Sequence, residues 1–235
     1  MKIYRFFTLS FLVLTIISSC QKDHPSYEEL YKKASEKYQE MNLLTQRISC
    51  EEISKSYVDT LLLNPNVKGY LPVSPTIKKQ YDLLKTEHTK LLTEAMKADD
   101  RPYLNLAYLH MPVHFGIICQ NGFAKVKTVE DFNIEQTRAA LNERSETLQN
   151  YFKDKPCTAA GDWIITGIKK DCSQIWIPTI ADQTYRNGFY IILTEYNTLY
   201  FHLTQLDKEL QNCTPNSAPA PKSVRCENNK PILVF

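Results

Sequence analysis

The chain has 235 residues, with 28 lysines and arginines against 26 aspartates and glutamates, for a formal net charge of +2. This balance excludes the strongly basic surface that nucleic-acid-binding proteins carry, so no nucleic acid partner is expected. The sequence contains no Gly-x-Ser-x-Gly motif, phosphate-binding loop or Cys/His nucleophile pair, so it predicts neither a catalytic set nor a cofactor.

The N-terminal residues have the organisation of a secretory leader. Lys2 and Arg5 precede an apolar run, Phe6–Ile17, and the small residues Ser18 and Ser19 follow it. The run is shorter than the roughly 20 apolar residues that a membrane-spanning helix needs. We therefore predict a signal peptide that is removed from the mature protein.

The sequence Ile17-Ser18-Ser19-Cys20 resembles the lipobox of bacterial lipoproteins. The resemblance implies that 1–19 is a lipoprotein signal peptide, that Cys20 is lipidated, and that 20–25 is a tether. Two or three acyl chains hold a protein on a membrane durably, whereas one chain is marginal. Gln21 stands where an aspartate would favour the inner membrane, so the resemblance implies an anchor in the outer membrane, on either face.

Two of the remaining six cysteines recur at a constant spacing. Cys157 lies 107 residues after Cys50, and Cys226 lies 107 residues after Cys119. Similar residues surround the matching cysteines. We interpret the chain as a tandem duplication of one unit.

The repeat predicts two domains of the same α+β class. Repeat unit 1 spans 26–128 and repeat unit 2 spans 129–235. Each unit is predicted to have the element order α-β-β-α-β-β, with a small antiparallel sheet and helices on one of its faces. Disulfides are expected to stabilise both units.

Capping signals mark the helices. Ser26 followed by Glu29 predicts a capping box at the first helix, and Ser74, which precedes a proline, predicts the start of the long helix of unit 1. In unit 2 the first helix is expected over 130–152, and Asp182 is expected to cap the long helix.

Turn signals mark the hairpins. Asn121-Gly122 is a favoured type I′ turn, and Asn228-Asn229 occupies the matching position in unit 2. Asn187-Gly188 carries a similar signal but interrupts an apolar helical stripe that starts at Tyr185. Gly188 is therefore interpreted as a helix glycine, at a cost of roughly 1 kcal/mol relative to alanine.

Six cysteines in an exported chain are expected to form three disulfides. The repeat favours one bond in each unit and one extra bond in unit 2: Cys50–Cys119, Cys157–Cys226 and Cys172–Cys213. The alternative set joins Cys157 to Cys172 and Cys213 to Cys226, so that Cys50 and Cys119 of unit 1 would pair with each other in a way that unit 2 does not.

Unit 2 also resembles a loose group of uncharacterised exported bacterial proteins. The likeness rests on an ordered set of residues: Cys157, Trp163, Cys172, Cys213 and Pro221–Lys230. Where that group has Gly-Gly-Pro after its second cysteine, this chain has Ser173-Gln174-Ile175. The resemblance implies a cysteine-containing α+β fold and no activity.

Few side chains suggest chemistry. Glu87 and Glu195 occupy matching positions on the two long helices and are the candidates for an acid/base pair. His110 and His114 have a spacing that would suit a metal on a helix, but Pro112 between them argues against a regular helix. No metal site is predicted.

Aromatic residues are numerous, with 14 tyrosines and 10 phenylalanines. Because tyrosine and tryptophan are enriched at recognition surfaces, the matching pair Tyr70 and Trp176 is the predicted binding surface. We expect a membrane-anchored, non-enzymatic envelope lipoprotein that binds a protein partner, such as an inhibitor or immunity-type protein. The alternatives are a cell-envelope hydrolase that uses the helix carboxylates and a structural component of an envelope complex. The sequence does not indicate an oligomeric state.

Overall fold

The computed structural model describes residues 25–64, 67–99, 113–212 and 219–235. The predicted leader, Cys20, His110 and Cys213 lie outside the described residues. The fold is mixed α+β, and helices and β-hairpins alternate along the chain in the order that the repeat predicts.

The described residues of the first repeat unit form two α-helices and four strands: α1 (Tyr27–Thr45), β1 (Tyr57–Asn64), β2 (Val67–Val73), α2 (Lys78–Ala98), β3 (Ile117–Gln120) and β4 (Phe123–Val126). The second contains a matching set and one additional short helix: α3 (Ile134–Asn150), β5 (Trp163–Lys170), β6 (Ser173–Ile180), α4 (Gln183–Leu206), α5 (Lys208–Gln211), β7 (Ser223–Glu227) and β8 (Lys230–Val234).

The chain divides into two compact bodies. The first body holds the described residues up to 99 together with 120–124. The second body holds 113–119 and the described residues from 125 onward.

In the first body, the apolar stripes of α1 and α2 pack against the β1–β2 hairpin. The core residues are Met41, Leu44, Leu61, Leu71, Val73 and Tyr81. Leu30 and Ala34 continue the buried stripe of α1 at helical spacing, as the sequence predicts.

The core of the second body is larger and richer in aromatic residues. Among its buried members are Leu148, Phe152, Trp163, Ile168, Ile177, Phe189, Leu199 and Val224. The expectation of one sheet in each unit is wrong, because among the described residues every sheet has only two strands. Ile168 and Ile177 of the β5–β6 hairpin meet Val224 of the β7–β8 hairpin in one core, so the two hairpins associate through side chains rather than through backbone hydrogen bonds.

Backbone pairing supports the duplication. Leu61 of β1 pairs with Gly69, and Ile168 of β5 pairs with Ile175. Leu61 and Ile168 are matching positions in the repeat, and both are buried. The two hairpins therefore share one register and present the same face to their cores.

The hairpin turns repeat as well. Asn121 and Gly122 have φ of 53° and 86°, and Asn228 and Asn229 have φ of 49° and 59°, which is the type I′ signature expected from the sequence. The Cys50 amide donates to the Gly122 carbonyl over 3.3 Å. The matching Cys157 amide donates to the Asn229 carbonyl over 2.9 Å.

The cap predictions for unit 1 are only partly correct. Ser26 accepts a hydrogen bond from the Glu29 amide, but the Glu29 carboxylate binds the Lys33 ammonium at 2.7 Å instead of closing a capping box. Helix α2 begins at Lys78 rather than directly after Ser74, because the Ser74 hydroxyl bonds the Thr76 hydroxyl within a turn.

In unit 2, Asp182 caps α4 as predicted, since its carboxylate accepts from the Thr184 amide at 2.8 Å. Gly188 lies inside α4, also as predicted. Helix α3 starts at Ile134, not at 130, because Val129–Asp131 forms a separate 3₁₀ turn.

Disulfide bonds cross-link the fold. Cys157 is bonded to Cys226 with their Cα atoms 5.3 Å apart, within the range that disulfide geometry requires. This bond belongs to the set that the repeat favours. Cys50, Cys119 and Cys172 are also disulfide-bonded. Because disulfides persist in oxidising compartments, the protein is extracytoplasmic.

None of the helices in the described part of the chain has the length and apolar character needed to cross a bilayer.

Candidate functional site

Glu87 and Glu195, the predicted acid/base candidates, each form an ion pair with a neighbouring helix. The Lys37 ammonium of α1 lies 3.2 Å from the Glu87 carboxylate. The Arg144 Nε of α3 donates to Glu195 over 3.0 Å. Lys37 and Arg144 are themselves matching positions of the repeat. Both glutamates therefore take part in a repeated contact between the two helices of each unit.

Tyr70 and Trp176, the predicted binding surface, lie at matching points of β2 and β6. Both are partly buried, and burial raises the pKa of the Tyr70 hydroxyl. Trp176 pairs with Gly167, and its ring fills the space that a side chain at Gly167 would need. The Trp176 ring thus covers its own hairpin, and the role of Tyr70 and Trp176 in binding stays a prediction.

The histidines give no metal centre within the described residues. His114 accepts a long hydrogen bond from the Gly116 amide at 3.5 Å. His88 is buried on α2, where burial lowers its pKa. No group of three or more His, Cys, Asp or Glu side chains that would hold a metal is found among the described residues.

A cleft of about 530 Å³ opens on the second body. It is lined by residues from the loop before β5, the ends of β5 and β6, and the start of α4: Lys155, Pro156, Gly161, Asp162, Trp163, Ile180, Ala181, Asp182 and Tyr185. We call it the Trp163 cleft. Its volume falls within the range of about 300–1,000 Å³ that is typical of ligand sites.

The floor of the Trp163 cleft is firmly held. Trp163 is only 6% exposed and packs edge-on against Phe152. The Ala181 amide donates to the Asp162 carbonyl over 2.7 Å, which ties the two strand ends together. The disulfide at Cys157 anchors the preceding loop. The cleft is therefore built on a rigid part of the fold.

The rim of the Trp163 cleft combines an aromatic ring with charges. Tyr185 is 53% exposed, so its predicted place in the buried stripe of α4 is wrong; it lies in the first turn, beyond the core. The Lys155 ammonium sits 4.8 Å from the Tyr185 ring centroid, a cation–π distance.

Two carboxylates line the same cleft. Asp182 is engaged in capping α4, whereas the Asp162 carboxylate has no hydrogen-bond or ion-pair partner among the described residues. With Lys155 as the single cation, the lining charges give a net charge of −1. The arrangement suits a cationic or amphipathic group. Sequence reasoning missed it because its residues come from two separate segments, 155–163 and 180–185, and none belongs to a known motif.

No family model matches the chain, and no curated protein or solved structure matches it either.

Proposed function

We propose that this chain is a lipid-anchored, non-enzymatic protein of the outer membrane that binds a protein partner. The partner contributes a lysine or arginine side chain to the Trp163 cleft. The observation that carries the proposal is the Lys155 ammonium over the Tyr185 ring, in the same cleft as the unpaired Asp162 carboxylate.

The location of the protein rests on two supports. Its disulfides belong to an oxidising compartment, and Ile17-Ser18-Ser19-Cys20 resembles a lipobox. A lipidated Cys20 would keep the protein at the membrane, where it meets partners that are exported or that arrive from outside.

The cleft already accommodates one cation from its own chain. Lysine and arginine bind aromatic faces because the ring quadrupole attracts positive charge. Asp162 adds an acidic group to the same cleft. A basic side chain from a partner would replace Lys155 over Tyr185 and pair with Asp162.

A rigid cleft suits an inhibitor or immunity-type role. Preorganised surfaces lose little conformational entropy on binding, so more of the contact energy appears as affinity. The disulfide at Cys157 and the backbone bond at Asp162 supply that rigidity.

The ion pairs of Glu87 and Glu195 favour binding over hydrolysis. Each carboxylate is bonded to a basic residue of the neighbouring helix, which gives both glutamates a structural role that requires no substrate.

A titration of the disulfide-bonded mature protein with Nα-acetyl-lysine amide and Nα-acetyl-arginine amide, followed by NMR, tests the cleft. We expect saturable shifts of the Trp163 indole and Tyr185 ring signals. The apolar analogue Nα-acetyl-norleucine amide should produce no saturable shift.

Matched variants complete the test. Asp162→Asn and Tyr185→Leu should each weaken binding by about three- to fivefold. Asp154→Asn, which removes an exposed carboxylate outside the cleft, should leave affinity unchanged. Equal affinity in all three variants would contradict the proposal.

A further inference from the structure

A second, smaller cavity lies within the second body, between α3, α4 and the β5–β6 turn. Its volume is about 140 Å³. Its polar lining comes from all three elements: Arg138, Asn142, Ser145, Lys170, Asp171, Tyr196 and Tyr200. We call it the Ser145 cavity.

The Ser145 cavity exists because the two repeats differ. Ser145 matches Tyr38 of α1, a half-buried residue whose ring lies 6.4 Å from that of His88. Lys170 matches Leu63, which packs against the first core. In the first repeat, the Tyr38 ring and the Leu63 side chain occupy this space. In the second repeat, the Ser145 hydroxyl and the Lys170 ammonium line it instead.

Ser145 offers an unused donor to this cavity. Its side chain is 1% exposed, and its Oγ accepts a hydrogen bond from the Gln149 Nε2 at 3.0 Å. Its hydroxyl hydrogen has no acceptor among the described residues. A buried donor without an acceptor is costly, so a bound acceptor would stabilise this position.

The tyrosines shape the wall of the cavity. The Tyr196 hydroxyl donates to the Lys169 carbonyl, and the Tyr200 hydroxyl donates to the Asp171 carbonyl over 2.8 Å. Burial raises the pKa of Tyr196 to about 12, so its hydroxyl remains neutral near neutral pH. Both rings therefore fix the β5–β6 turn beside the cavity.

The lining carries more positive than negative charge. Arg138 is bonded to Asp207 and lies 3.7 Å from Asp171; its guanidinium has further N–H donors available. The Lys170 ammonium has no partner among the described residues. Two cations thus line the cavity against one carboxylate, Asp171.

We propose that the Ser145 cavity binds a small oxyanion, a carboxylate or phosphate of about six non-hydrogen atoms or fewer. The size limit follows because a cavity of roughly 150 Å³ accepts a molecule the size of benzene. Lys170 pairs with the negative charge, the Ser145 hydroxyl donates to one oxygen, and Arg138 supplies its remaining donors. The site is separate from the Trp163 cleft and does not depend on the function proposed for that cleft.

An NMR titration of the full disulfide-bonded mature protein tests this site with acetate, inorganic phosphate and the neutral isostere acetamide, at constant ionic strength. We expect at least one of the anions to cause saturable shifts confined to the cavity residues, with a dissociation constant in the millimolar range or tighter. The anion that saturates at the lower concentration identifies the chemistry as carboxylate or phosphate. Unsaturable shifts with both anions, or equal shifts with acetamide, would overturn the proposal.

Variants that copy the first repeat make the test specific. Ser145→Tyr and Lys170→Leu should each weaken anion binding by about tenfold or more, because each removes a donor to the anion. Lys169→Leu removes the same charge from the adjacent exposed position and should change affinity less than about twofold. If Ser145→Tyr does not fold, Lys170→Leu decides: unchanged affinity in that variant refutes the site.

Discussion

Three matching packing positions hold a hydrogen-bonded, charged set of side chains in the first body and mainly apolar side chains in the second. In the first body, the Tyr81 hydroxyl donates to the Asp59 carboxylate over 2.9 Å, and the Lys85 ammonium donates to the same carboxylate over 2.6 and 2.8 Å. Tyr81 is fully buried, and burial together with the hydrogen bond to Asp59 raises its pKa well above the usual range.

The matching positions of the second body are Thr166, Phe189 and Leu193. Phe189 is also fully buried but belongs to a cluster of aromatic rings with Tyr151 and Phe152. The charged triad of the first body is thus replaced in the second by two apolar side chains and by Thr166, whose hydroxyl accepts from the Thr179 hydroxyl over 3.0 Å.

Features that both copies keep belong to the structural scaffold, whereas positions that differ between the copies are free to serve function. Both copies keep the cysteines at matching positions, the turn asparagines and the helix-to-helix ion pairs. Asp59, Tyr81 and Lys85 are all replaced in the second copy, as expected because a buried charge left without its partner is strongly destabilising whereas replacement of the whole set is not. Binding sites are expected where the copies diverge.

The largest expected effect comes from the shared cysteines. Replacing Cys157 and Cys226 with alanine opens a loop with a sequence separation of 69 residues. The chain-entropy model gives a loss of about 4 kcal/mol. Urea unfolding of the double variant measures this. The same change at Cys50 and Cys119 should cost a similar amount if the repeat pairs them alike, and a negligible loss there would contradict that pairing.

Breaking the Asp59 triad should cost about 2–3 kcal/mol in Asp59→Ala, somewhat below the 3–5 of a fully buried ion pair. The physical reason is that the Tyr81 hydroxyl and the Lys85 ammonium both lose their partner. Urea unfolding provides the measurement. The triple variant Asp59→Thr, Tyr81→Phe, Lys85→Leu, which copies the second body, should recover most of the loss.

Two results would refute this account of the triad: a neutral Asp59→Ala, or a triple variant less stable than the single one. Asp82→Ala, which removes the carboxylate of an exposed pair with Lys78 on the same helix, is the control and should show no measurable change.

A smaller effect is expected at Gly188, where the two repeats should respond differently to alanine. A side chain there would overlap the Tyr151 hydroxyl, so Gly188→Ala should destabilise the second body by about 1–3 kcal/mol, despite the higher helix propensity of alanine. Tyr151→Phe removes the obstructing hydroxyl and should restore stability in the double variant. The matching Gln80 is exposed, so Gln80→Ala is expected to be neutral. Thermal unfolding of the four variants decides.

The smallest effects are expected at the matching ion pairs. Glu195 is 21% exposed and Glu87 is 57% exposed, so solvent screens the Glu87 pair more strongly. Glu195→Gln should cost up to about 1 kcal/mol, and Glu87→Gln should cause no measurable change in unfolding free energy. A larger loss from Glu87→Gln would reverse this order.

Local signals were enough to predict much of the fold. The caps at Ser26 and Asp182, the turns at Asn121 and Asn228 and the helical place of Gly188 depend on nearby residues, so the sequence contains the necessary information. Ser74 was predicted wrongly because its hydroxyl has a competing local partner in Thr76.

The sites were harder to predict because they depend on tertiary contacts. Lys155, Asp162 and Tyr185 meet only when the loop before β5 packs beside the start of α4. The Ser145 cavity arises from a missing ring, which becomes visible only when Ser145 is compared with Tyr38 in the folded helices. The spacing of Lys37 and Arg144 did carry a signal for the repeated ion pair, since it equals that of the cysteines.

The disulfide pattern of the exported protein tests the duplicated scaffold most directly. Proteolysis without reduction, followed by mass spectrometry of the linked peptides, identifies each pair. The account predicts a peptide that joins Cys157 to Cys226 and a second that joins Cys50 to Cys119. A peptide that joins Cys157 to Cys172 would contradict it.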